Sequence, residues 1–166
     1  MNAKKYVAAG EAMTPSVQTI DGLASVQEAI DLMREHGISS LVIDRRHDGD
    51  EYGLLMVTDI ATKLIAEDRS PERTNVYEIM SKPVLTVNRD MDIKYVIRLL
   101  ARFGVSRALV TNHDALVGMV TLRDLVLRYM PREAEGRAEV GNTEGLLLTG
   151  AGGMNARSQM PVNTHT

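Results

Sequence analysis

The chain has no cysteine. That excludes disulfides, thiolate metal sites and a cysteine nucleophile, and it fits a reducing compartment. A basic excess is missing as well: 19 Lys and Arg stand against 22 Asp and Glu, for a formal charge of -3 at pH 7. Such a balance offers no general attraction for nucleic acid or for an anionic membrane surface. No apolar run approaches the roughly 18 residues of a membrane span, and the opening MNAKKYVAAGEAM is too poor in apolar residues for a secretory leader. The expectation is a cytoplasmic protein that partners neither nucleic acid nor membrane. Catalytic signatures are also lacking. There is no G-x-S-x-G and no H-E-x-x-H, and the histidines at 36, 47, 113 and 165 are scattered. HDGDE (47–51) lacks the ligand spacing of an EF-hand and reads as a polar hairpin turn; GAGG (150–153) lacks the G-K-[ST] of a phosphate loop. No catalytic residue and no metal site are expected.

What the sequence does have is an internal repeat, GLLMVTD (53–59) against GMVTLRD (118–124). Setting AMTPSVQTI beside IMSKPVLTV aligns Met13 with Met80, and REHGISSLVI beside ARFGVSRALV aligns Gly37 with Gly104. Gly53 then falls on Gly118 after a loop two residues longer in the first copy. Three landmarks in the same order identify a duplicated unit.

Each copy predicts β-α-β-β-α. Short β-branched stretches, Val17 to Ile20 and Val84 to Val87, precede amphipathic helices. Ser25 and Glu28 form a capping box, and Val26, Ala29, Ile30 and Met33 recur at helical spacing until Gly37. In the second copy Asp92 is the N-cap and Ile93, Val96, Ile97 and Leu100 form the stripe before Gly104. Hairpins follow, then last helices through Ile60, Leu64 and Ile65 or through Leu125, Val126 and Tyr129. The expected organisation is an N-terminal extension (1–9), repeat 1 (10–66), a polar linker (67–75), repeat 2 (76–130) and a Gly- and Asn-rich tail (131–166) that reads as disordered. The fold class is α/β (α+β). A unit of about 60 residues buries little surface alone, so the two should pack through their sheets about a pseudo-twofold axis.

These features resemble a tandem pair of cystathionine β-synthase (CBS) domains, a Bateman module, over about residues 10 to 130. The resemblance rests on the helix-Gly-(I/V)-S-x-x-x-V stretch followed by G-h-h-T-x-x-D, intact in the second copy and altered in the first, where Met56 stands in place of Thr121. It implies a non-catalytic regulatory module that binds AMP, ADP, ATP or S-adenosylmethionine in clefts between the halves and signals to another protein. It further implies a homodimer, a disc of four repeats. Carried over residue by residue, one cleft pairs Ile38, Ser39 and Ser40 with Thr121 and Asp124; the other pairs Val105, Ser106 and Arg107 with Asp59. In such a cleft the glycine would admit the ligand to the backbone, the threonine and the helix start would meet phosphate, and the aspartate would accept from ribose hydroxyls. The Thr121 and Asp124 cleft is the favoured one, because Met56 removes a hydroxyl from the other.

Plainer roles compete for the same residues. Thr121 and Asp124 could simply cap a helix, Ser39 and Ser40 begin a strand, and Arg107 sit as a solvated charge. A ligand-free scaffold, with EGLLLTG (144–150) as a docking segment in the tail, is the rival function.

Overall fold

The computed structural model describes residues 6–129. The expected tail, with its GAGG and EGLLLTG segments, and the first five residues lie outside the described residues.

In chain order, a short helix α1 (Ala9–Ala12) leads into strands β1 (Thr14–Pro15) and β2 (Thr19–Ile20) and helix α2 (Val26–His36). Strands β3 (Ser40–Ile43) and β4 (Gly53–Met56) form a hairpin, and α3 (Val57–Ile60) continues as a π-helical turn over Ala61–Ile65. The second half repeats the plan with α4 (Val76–Ile79), β5 (Thr86–Asn88), α5 (Ile93–Phe103), β6 (Arg107–Asn112), β7 (Ala115–Thr121) and α6 (Leu122–Tyr129).

The helix ends follow from their sequences. Ser25 Oγ accepts from Glu28 N–H at 3.1 Å, and Glu28 Oε2 accepts from Ser25 N–H at 2.7 Å, a reciprocal box that satisfies two orphan donors. The Asp92 side chain accepts from Lys94 N–H at 2.8 Å. Gly37 and Gly104 close α2 and α5 in the left-handed conformation, at φ 62° and 64°, which an L side chain adopts only at a cost. The strands β2 and β5 are shorter than the sequence suggests. Val17 and Val84 lie outside the ladders, with their side chains packed against Val42, Leu54 and Leu109 between the two sheets.

One sheet has the order β2-β3-β4 and the other β1-β7-β6-β5. In each, the first strand of the repeat runs parallel to the next and the hairpin is antiparallel. The edges are exchanged between halves. Strand β1 lies before repeat 1's sheet in sequence, yet it pairs with β7 of repeat 2, with Thr14 opposite Met119 and Pro15 opposite Gly118. Reciprocally, Ser81 pairs with Leu54 of repeat 1 through bonds of 2.9 and 2.8 Å.

The cores record the same exchange. Ala9 and Ala12 of α1 are buried among Val87, Val96, Leu100 and Leu125 of the second half. Val76 and Ile79 of α4 are buried among Val26, Ala29, Leu41 and Leu55 of the first. A third cluster, Val42, Leu54 and Leu109, joins the facing sheets. Strand β3 is therefore buried on both faces, which is why SLVI carries no polar alternation.

The exchange also bears on the motif glycines. A Cβ built on Gly118 would fall 2.5 Å from Met13 Sδ and 2.7 Å from Thr14 O; one on Gly53 would fall 2.7 Å from Met80 Sδ. The space a side chain would take at these glycines is filled by the other half's incoming segment.

Candidate functional site

The segment after α2 and the end of β7 meet at the seam between the halves. Ile38, Ser39, Ser40 and Thr121 line one hollow there of about 540 Å³. Arg107 shares it. This differs from the expected grouping of Arg107 with Asp59, and the register explains why. Arg107 is the direct partner of Thr121 across β6 and β7, and its side chain crosses the seam to donate from Nη1 to Ser40 Oγ at 2.8 Å. Its Nε is buried with no hydrogen-bond partner among the described residues. Burial pulls the guanidinium's pKa below its usual range, while the negative charge of Asp124 acts in the opposite sense.

Thr121 does cap α6: its Oγ1 accepts from Asp124 N–H at 3.1 Å. An accepting hydroxyl still has its own proton to donate, so the cap leaves Thr121 able to meet an anion. Asp124, expected beside Thr121, is half-buried in the first turn of α6 and does not itself line the hollow; its carboxylate forms no ion pair or hydrogen bond among the described residues.

Of the residues expected for the second cleft, only Arg107 lines this hollow. Val105 and Ser106 are exposed, and Ser106 O accepts from Leu122 N–H at 2.8 Å. Asp59 is buried, with Oδ2 accepting from Met56 N–H at 2.9 Å and Oδ1 2.9 Å from Lys63 Nζ.

Thr14, Ser16, Gln18 and His36 also face the hollow and were missed by sequence reasoning. Thr14 arrives there only because β1 belongs to the opposite sheet, and no local pattern signals that.

A larger hollow of about 810 Å³ lies beside the far end of β3, lined in part by Arg45, Arg46 and Lys82. Its cations are already matched. Asp50 in the HDGDE turn takes Lys82 Nζ at 2.7 Å and Arg46 Nε at 3.2 Å, and Arg45 stands 4.9 Å over the Tyr52 ring. Among the described residues no group of three or more His, Asp or Glu could hold a metal ion, and no helix is long and apolar enough to cross a membrane.

The family model for the CBS domain matches residues 9–66 and 76–130. The Methanopyrus kandleri protein MK0525 is 31% identical over 74% of this chain, which spans 62% of that protein's length. A hexameric CBS-CP12 protein from bloom-forming cyanobacteria is 38% identical with a TM-score of 0.70, covering 74% of this chain and 70% of that one. The Pyrobaculum aerophilum CBS domain protein PAE2072, solved with AMP, is 15% identical with a TM-score of 0.63, covering 72% of this chain and 90% of that one, a likeness of fold.

Proposed function

Because the chain belongs to the CBS domain family, we propose that it is a non-catalytic regulatory module that binds an adenine nucleotide at the seam between its repeats. Ligand occupancy would pass to a partner protein. The observation that carries this reading is the convergence of the Thr121 hydroxyl, Ser40 and the half-buried Arg107 on one hollow. Its volume lies within the roughly 300–1,000 Å³ of small-molecule sites.

The chemistry suits AMP, ADP or ATP. A phosphate would take the proton of Thr121 and relieve the unpartnered Nε of Arg107, a charge-assisted contact stronger than a neutral one. Asp124 would accept from ribose hydroxyls, and Ile38 and Met119 supply apolar wall for the base. S-adenosylmethionine would fill the same space but bring a sulfonium toward the guanidinium, so nucleotide is the favoured class. The ligand would touch both halves, so any difference in its affinity for two arrangements of them would shift their populations. In the same proposal the module works in the cytoplasm as a homodimer, with Val57 and Ile65 near the end of repeat 1 and Val126 and Leu127 on α6 as exposed apolar contact surface.

The test is a thermal-shift series with adenosine, AMP, ADP, ATP and S-adenosylmethionine. A ligand at about 100 times its Kd adds about 2.7 kcal/mol of stability if it binds only the folded state. A raised Tm with a nucleotide is expected; no shift with any compound favours the scaffold reading.

A further inference from the structure

The two motif aspartates occupy equivalent places in the repeat and are in opposite situations. Around each stands a basic residue four positions further on, Lys63 after Asp59 and Arg128 after Asp124. Both reach the carbonyls at the end of the exchanged short helix. Arg128 Nη1 donates to Ala12 O at 2.8 Å and Met13 O at 3.0 Å, and Lys63 Nζ donates to Ile79 O at 2.9 Å. The guanidinium serves both carbonyls through Nη1 and makes no ion pair with Asp124 among the described residues. The ammonium, with three donors at one point, bonds its carbonyl and still reaches Asp59 Oδ1 at 2.9 Å.

With Oδ2 held by Met56 N–H, both oxygens of Asp59 are engaged, and its side chain is 9% exposed. A ligand could recruit this carboxylate only by breaking a partly shielded ion pair. It would find no hydroxyl at position 56 in return. Arg107, the cation expected with Asp59, points across the seam to Ser40 instead.

Resting on the nucleotide reading above, we infer that each chain binds one ligand, in the Thr121 and Asp124 cleft, and that Lys63 closes the second cleft by holding Asp59 as an internal counter-ion. The repeat thus works as a liganded half and a half whose acid is permanently satisfied.

Isothermal titration of the full chain with AMP tests this. One equivalent per chain is expected, and two equivalents would overturn the inference while leaving the nucleotide reading intact. No binding of AMP, adenosine or ATP would overturn both. A double variant asks whether Lys63 and Met56 together are the cause. Met56→Thr with Lys63→Arg installs the second half's residues in the first and keeps a donor for Ile79 O. A second equivalent of AMP, weaker than the first, is expected. A folded double variant that still binds one equivalent would remove Lys63 from the explanation.

Discussion

Met13 Sδ occupies the space beside Gly118 where a side chain would begin, 2.5 Å from the position a Cβ would take. The contact belongs to two different repeats, and Met80 on Gly53 reproduces it. The two residues aligned by the repeat, methionine and glycine, are thus each other's partners across the exchange.

Gly118→Ala should therefore destabilise the protein by about 1–3 kcal/mol, the usual cost of overpacking. Gly53→Ala should cost less. At position 118 the new methyl would meet Thr14 O of the backbone, which moves only with its strand, whereas at 53 the nearest atom is the flexible Met80 sulfur. Urea denaturation of the two variants checks the order; equal costs would mean the exchanged strand is not tightly seated.

Arg107→Gln separates phosphate recognition from adenosine recognition. The amide can keep a bond to Ser40 but carries no charge. AMP affinity should fall roughly 10- to 100-fold, as expected for losing a charged hydrogen bond worth about 1.5–3 kcal/mol. Adenosine, which lacks the phosphate, should lose much less. Parallel titrations decide the matter, and an equal loss for both ligands would place the guanidinium away from the phosphate.

Asp50 sets an acid limit. Lys82 beside it, helped by the backbone N–H of Arg46, holds its carboxyl well below the usual carboxylate range. A depressed folded-state pKa contributes stability that is present above the unfolded value of about 3.9 and is lost as pH falls further toward the folded one. Asp50→Asn should be less stable than the parent at pH 7, and the gap should narrow as pH drops below about 4. Chemical denaturation at pH 7, 5 and 3 follows the gap. A difference that stays constant across the series would show that the carboxylate's charge is not involved.

Much of the fold was legible because its signals are local. The Ser25 and Glu28 box, Asp92, Gly37 and Gly104 each act within one turn of chain, and each sits where the sequence placed it. The grouping of Ile38 to Ser40 with Thr121 and Asp124 came from the family resemblance; the hollow is lined by the first four of these and not by Asp124. The allocation of Arg107 was not legible, since its direction depends on Ser40, which is 67 positions away. Nor could spacing reveal that Lys63 serves Asp59 and Ile79 O together, because the π-helical turn that carries it has no plain sequence mark. Local pattern likewise did not say to which sheet Thr14 belongs.

The trading of edge strands bears on how such a chain could arise. A single copy of the unit, translated alone, would present a sheet with a missing border and an orphan helix in search of a groove. It could satisfy both only by clasping a second molecule of itself, each completing the other. Joining two copies through a polar tether turns that handshake into an intramolecular one. Once the copies share a polypeptide they need no longer stay identical, and Met56 and Lys63 stand opposite Thr121 and Arg128 as such differences.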